Sequence, residues 1–195
     1  MITLTREQVC GLFAVDIVGF TGPDRDGEVR EHLHKVLYQM LEAAFDGSGV
    51  PWDGCVHEDR GDGALIVIPA AIGAADLVDP CLERLCGLIR RHNRMSCPAA
   101  RMQLRAAAHI GLLHHDGHGF VGDAVNHLFR LLETRRLKQR LAASGAELAY
   151  IASDYVYENV IRCHPTLVDP GAFWPTWVQV KGARLRAWIY VPGAK

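Results

Sequence analysis

Much of what this chain could be is ruled out by what it lacks. Its six cysteines, at 10, 55, 81, 86, 97 and 163, form no CxxC pair and no zinc-ligand spacing. That argues against a zinc module and against a disulfide framework, and all six read as reduced residues in a cytoplasm. No apolar run approaches the roughly 20 residues of a membrane helix. The opening residues MITLTREQVC lack the charged-then-apolar layout of a signal peptide. A cytoplasmic protein without a membrane partner is therefore expected, with its first strand too near the start to leave room for an amino-terminal sensor domain. Excess basic charge is missing as well: 21 basic against 22 acidic residues give a net charge of −1. That argues against nucleic acid as a partner. Internal repeats, linkers and low-complexity stretches are absent, so one domain over 1–195 is expected.

What is present is a globular composition, 49% hydrophobic over 195 residues, enough to bury roughly 70% of the unfolded surface. Leu12 to Val18 is apolar except for Asp16 and reads as a buried strand. Gly19, Thr21, Gly22 and Pro23 then mark a turn. Val29, Leu33, Val36, Leu37, Met40, Leu41 and Ala44 form one stripe of a helix over 26–46, which Gly47, Ser48 and Gly49 end. Residues 52–59 and 63–69 read as two strands around the turn GDG (61–63). Asp79 and Pro80 open a second helix, whose Leu82, Leu85, Cys86 and Ile89 face inward. Cys81 and Cys86, five apart, are not expected on neighbouring turns of one face. A strand over 103–113, a turn HHDGHG, a third helix over 122–143, a strand over 149–152, a helix over 153–162, a loop over 164–175 and a hairpin over 176–191 follow. The fold class is α+β: a ferredoxin-like βαββαβ core with an αβ and hairpin extension.

A carboxylate inside an apolar strand is costly unless a cation meets it. Asp16 at the lip of a glycine-bearing turn suits a hard divalent ion with phosphate nearby, in the loop Gly19, Phe20, Thr21 and Gly22. The plainer alternatives are an Asp paired with a buried Arg or one capping the next helix. Asp62, in RGDGAL, could be the second carboxylate of a two-ion site or an ordinary hairpin Asp. Asn126 and Arg130 are four apart and share a helix face. An amide and a guanidinium suit a nucleotide's sugar and phosphate, and equally a solvated surface. Lys181, in VKGAR, could reach a triphosphate or lie on the surface. His114, His115 and His118 read as a solvated turn rather than a metal site, and His57 as a strand residue that could alternatively line a base pocket. Phe173, Trp174 and Trp177 read as packing the tail onto the sheet, or as an aromatic surface for a partner.

Taken in order, FAVDIVGFT, GDGALIVI, GDAVNHLFRLLE and VKGARLRAWIYV resemble the catalytic domain of class III nucleotidyl cyclases, the adenylate and guanylate cyclase family, from residue 11 to about 191. The resemblance implies a class III cyclase-like sheet covered by helices, and two ions, Mg²⁺ or Mn²⁺, on Asp16, Asp62 and the carbonyl of Ile17. It implies Asn126 and Arg130 as the transition-state pair and Lys181 as the triphosphate ligand. The reaction is attack of the ribose 3′-hydroxyl on the α-phosphate of a nucleoside triphosphate, releasing pyrophosphate and a 3′,5′-cyclic nucleotide. A head-to-tail homodimer with composite sites is implied too. The RGDGA turn also has a counterpart in the GGDEF turn of diguanylate cyclases, a remoter likeness.

Base selection departs from the family pattern. Adenylate cyclases usually carry a Lys where this chain has Glu58, the guanylate cyclase residue. The second base-contacting position is Gly119, which has no side chain. The substrate therefore leans away from ATP, towards GTP or a pyrimidine triphosphate. Short, stand-alone relatives in bacterial antiphage defence use pyrimidine nucleotides. A second departure is bulk: Leu128 and Phe129 stand where the family has small residues between Asn and Arg, which raises the alternative of a catalytically degenerate regulatory module.

Overall fold

The computed structural model describes residues 7–72, 78, 80–115, 119–163 and 168–193. In chain order the strands are β1 (Glu7–Ile17), β2 (Val56–Asp59), β3 (Gly63–Pro69), β4 (Leu104–His115), β5 (Phe120–Val121), β6 (Leu148–Ser153), β7 (Trp174–Val180) and β8 (Ala183–Tyr190). The helices are α1 (Gly27–Asp46), α2 (Cys81–Met95), α3 (Asp123–Leu132), α4 (Arg135–Ser144) and the single turn α5 (Asp154–Val156), which runs on into a π-helical turn at Tyr157–Ile161. One sheet runs β2-β3-β1-β4-β6-β8-β7, and β5 pairs with the end of β4. Its first four strands, β2-β3-β1-β4, are each antiparallel to their neighbours. They give the ferredoxin-like core, while β6 extends it parallel to β4 and the β7–β8 hairpin closes it.

The unbroken apolar run of β1 has a simple cause: both faces of the sheet are covered. Phe13, Val15 and Ile17 pack with α1 and α2. Leu12 and Ala14 pack with α3 and α4. Asp16 shares the parity of Leu12 and Ala14, so its side chain belongs to the α3 side. Helix α1 starts where Asp26 Oδ1 accepts the Val29 amide at 2.9 Å, and it buries Leu33, Leu37, Met40, Leu41, Ala44 and Phe45.

Several boundaries differ from the expectation. The helix expected over 122–143 is two. Thr134 leaves the helical backbone between α3 and α4, and its hydroxyl donates to the Arg130 carbonyl at 2.9 Å. Leu137 and Leu141 continue the buried stripe of α3, so periodicity alone runs through the break. Residues 52–54 are a 3₁₀ turn rather than strand, because the Trp52 amide is tied to Asp46 Oδ1 at 2.7 Å. Pro80 precedes α2 instead of being its first helical residue, and Asp79 lies outside the described residues. Cys81 and Cys86 are both buried, within one broad stripe that includes Leu82, Leu85 and Ile89. All six cysteines are free thiols. Among the described residues, no helix is long and apolar enough to cross a membrane.

Candidate active site

Asp16 lies in register between Gly63 of β3 and Arg105 of β4. A Cβ on Gly63 would come within 2.0 Å of the Val15 carbonyl oxygen, so glycine alone lets β3 approach at this point. The Ile17 amide donates to the Asp62 carbonyl at 2.8 Å. Asp62, exposed on the turn, thus stands beside Asp16, and its charge helps raise the Asp16 pKa.

The cation that meets Asp16 is within the chain. Arg105 Nε donates to Oδ1 at 2.8 Å and Nη2 to Oδ2 at 2.6 Å. The plainer reading of Asp16, pairing with a buried Arg, is thus realised. Burial still outweighs this attraction and pushes the carboxyl up to about 6. Glu133, at the end of α3, is 3.8 Å from the same Nη2. Arg105 was not singled out from the sequence. The available signal was a lone basic residue in the apolar run LRAAA, opposite in kind to Asp16 in its own strand.

A hard divalent ion suits the donor set of Asp16, Asp62 and the Ile17 carbonyl. No cluster of three or more His, Cys, Asp or Glu occurs among the described residues. Phosphate and water would complete the coordination of a bound ion, as is usual for Mg²⁺. Arg105 occupies both Asp16 oxygens in this structure, and Glu133 beside it is bonded to Lys138. In the adjoining loop Gly19 has φ +65°, and the Gly22 amide donates to the Gly19 carbonyl at 2.9 Å. Thr21 is exposed, while Phe20 packs on the α1–α2 side of the core.

A second group of residues gathers on α3. Asn126 and Arg130 are exposed on it, and Leu128, between them, is fully buried. Lys181 adopts φ +47° in the β7–β8 turn, and its ammonium bonds Asp123, the first residue of α3. The hairpin lysine is thereby carried to the helix bearing Asn126 and Arg130. The bulky residues are accommodated: Leu128 faces the core, and Phe129 receives the Arg60 guanidinium at 5.1 Å from its ring centroid. Beneath α3, His127 lies 4.4 Å from the His109 ring. His109 Nδ1 meets the Ser153 hydroxyl at 2.9 Å, and burial with the His127 charge lowers its pKa to about 4.

Glu58 and Gly119, the two expected base positions, meet. Glu58 Oε1 accepts the Phe120 amide at 3.0 Å, and Arg60 Nη2 donates to Oε2 at 2.6 Å. A Cβ on Gly119 would sit 3.2 Å from Glu58 Oε1, so the missing side chain makes room for the carboxylate. His57 does not join them: it stacks on Trp52 at 3.8 Å, on the opposite side of β2. His114 lies 3.7 Å from Glu7 and His115 packs against Phe120, while His118 lies outside the described residues. Phe173 packs the tail between Tyr150, Tyr157 and Tyr190. Trp177 is about half exposed, beneath Arg184.

No protein-family model and no curated protein matches the sequence. Solved structures do. An adenylate/guanylate cyclase/hydrolase from Silicibacter pomeroyi aligns with a TM-score of 0.66 at 21% identity, over 95% of this chain and 98% of that one. The guanylate cyclase domain of RhGC from Catenaria anguillulae, in complex with GTP, gives 0.62 at 20% identity, over 98% and 100%. A non-canonical dimeric guanylyl cyclase domain of the RhoGC fusion protein from Blastocladiella emersonii gives 0.57 at 20% identity, over 98% and 100%. At these identities the likeness is one of fold, and the fold is that of class III nucleotidyl cyclase catalytic domains.

Proposed function

We propose that this chain is a nucleotidyl cyclase, converting a ribonucleoside triphosphate to a 3′,5′-cyclic nucleotide and pyrophosphate. The observation that carries the reading is the docking of Lys181 on Asp123. It joins a hairpin ammonium to the helix of Asn126 and Arg130, a set suited to a triphosphate, on a fold shared with cyclases that include a GTP complex.

Asp16, Asp62 and the Ile17 carbonyl would hold Mg²⁺ or Mn²⁺. Two such ions, when bound, would ease deprotonation of the attacking hydroxyl and neutralise charge at the α-phosphate. The chain's own groups do the rest. Lys181 grips the outer phosphates, Asn126 orients the sugar, and Arg130 meets the negative charge of the pentavalent centre. One chain carries both groups, so a symmetric homodimer would hold two composite sites. Glu58, an acceptor-only carboxylate, favours a base edge with donors and disfavours adenine's ring nitrogens. That leaves GTP, or a pyrimidine triphosphate such as UTP or CTP, the latter in keeping with a cyclic-nucleotide signal in antiphage defence.

The Arg105 clamp on both Asp16 oxygens favours a second reading, a degenerate cyclase-fold module that binds a nucleotide or a protein partner and turns nothing over. Incubating the protein with each of the four ribonucleoside triphosphates and Mn²⁺, then resolving cyclic products by chromatography, separates the two. The enzyme reading expects one preferred substrate, not ATP. A folded dimer that yields no cyclic product from any nucleotide leaves only the module.

A further inference from the structure

An arginine-rich basin lies across one end of the sheet, and none of the candidate catalytic residues lines it. Its volume is about 860 Å³, and its wall includes Val18, Arg25, Arg90, Arg94, Arg101 and Glu147. Four arginines and one glutamate therefore line one concavity. Two of the four are spent within the chain. Arg25 donates to the carbonyls of Val18, Ala99 and Arg101 at 3.1, 3.2 and 2.7 Å. Arg90 Nε donates to Glu147 Oε2 at 3.2 Å. The other two are open. Among the described residues the Arg94 side chain makes no hydrogen bond or ion pair, and the Arg101 guanidinium has only a 3.4 Å contact from Nε to the Ser96 carbonyl.

Small residues keep the space between them clear. Gly87 of α2 and Gly145 and Ala146 after α4 form part of the lining, and the Gln103 side chain pins the Ala146 carbonyl at 2.7 Å. Guanidinium groups facing one concavity repel one another unless an anion offsets them, and the planar fork of Arg matches phosphate oxygens. The volume lies in the usual range for small-molecule sites.

The basin also touches the strand that carries Asp16. Val18 follows that strand, and its amide donates to the Gln103 carbonyl at 2.9 Å. Val18 and Arg25 line in addition a neighbouring cavity of about 520 Å³ that includes Gly19 and Gly22. We propose that the basin is a second anion site, taking a polyphosphate group, either inorganic or as a nucleotide's tail, through Arg94 and Arg101. Its occupant lies against Val18 and Arg25, at the two ends of the 18–25 loop.

Calorimetric titration with inorganic tripolyphosphate in EDTA tests this without metal or turnover, so its failure leaves the cyclase reading untouched. Three proteins are compared: the unsubstituted chain, Arg94→Glu/Arg101→Glu, and Lys181→Ala/Arg130→Ala, each with its thermal melt measured to confirm folding. The expected result is saturable 1:1 binding per chain to the first and third, weakened about tenfold or more in the second. A parallel titration with UTP gives the source: equal affinity marks an inorganic polyphosphate, tighter affinity a nucleotide tail, provided both weaken in Arg94→Glu/Arg101→Glu. Absence of saturable binding to the unsubstituted chain overturns the site. So does a loss in Arg94→Glu/Arg101→Glu no larger than that in Lys181→Ala/Arg130→Ala.

Discussion

The carboxylate end of β1 and the outer face of α3 carry comparable numbers of charged groups but hold them in opposite ways. Asp16 is 7% exposed, fixed by register on both sides, and neutralised by Arg105. Asn126, Arg130 and Lys181 are exposed, and of the three only Lys181 has a carboxylate partner among the described residues. The first region is satisfied within one chain and, on the proposed function, would have to open to work. On the same proposal the second is completed by a ligand and a second copy. Substitutions in the first should therefore disturb stability and activity together, and in the second activity alone.

The largest effect belongs to Asp16→Ala. Turnover should fall about a thousandfold, the scale set by losing a preorganised charge at a reacting phosphate. Stability should fall too, by about 1–3 kcal/mol, because Arg105 loses a partner in a mostly buried position. Arg105→Ala added to Asp16→Ala should recover part of the stability and none of the activity, as a double-mutant cycle in urea with initial rates would reveal. Retained activity in Asp16→Ala would place the chemistry elsewhere.

Arg130→Ala comes next, with a loss of roughly 100- to 1000-fold in kcat and a stability change within about 0.5 kcal/mol, as for surface substitutions. Mixing it with Asp16→Ala should restore part of the activity, since one of the two shared sites in the mixed dimer keeps both groups. No recovery, with heterodimer formation shown by independent affinity tags, would argue that each site is built from one chain. A melting temperature that falls as far in Arg130→Ala as in Asp16→Ala would remove the contrast between the regions.

The contrast also explains what the sequence revealed. The two-faced burial of β1, the helix stripes and the order of the core strands follow from apolar pattern and glycine positions, so the α+β core was legible. Asp16, Asp62, Asn126, Arg130 and Lys181 each had a plain alternative when read alone, and only their order along the chain, in a resemblance to the cyclase family, drew them together. Arg105 was hidden because pairing across strands depends on register, which a linear pattern does not carry. Arg60, which joins Glu58 to Phe129, was missed for a similar reason: its two partners are 71 residues apart in the chain. The break at Thr134 was invisible because α4 continues the apolar stripe of α3.

Glu58→Gln gives a smaller and more selective effect. The amide offers a donor where the carboxylate only accepts, so discrimination against ATP should shrink by about tenfold. The pair to Arg60 weakens with it, but both groups are partly exposed, and the melting temperature should stay nearly constant. Ratios of kcat/KM for the four triphosphates read this directly. Unchanged ratios would remove Glu58 from the base pocket.

The smallest effect comes from beneath α3. His109 faces His127 and the Ser153 hydroxyl, and Asp123 and Lys181 line the same cavity. Burial, reinforced by the His127 charge, lowers the His109 pKa to about 4 from an ordinary value of 6.5, and burial also lowers that of His127. Between those pH values the unfolded chain binds protons that the native chain refuses. The stability these residues contribute is therefore complete above about pH 6.5 and is lost as the pH falls towards 4. His109→Gln, which keeps a polar partner for Ser153, should flatten the melting temperature between pH 7 and pH 5 by a few degrees relative to the unsubstituted chain. A parallel decline in both would mean that the footing of α3 does not sense protons.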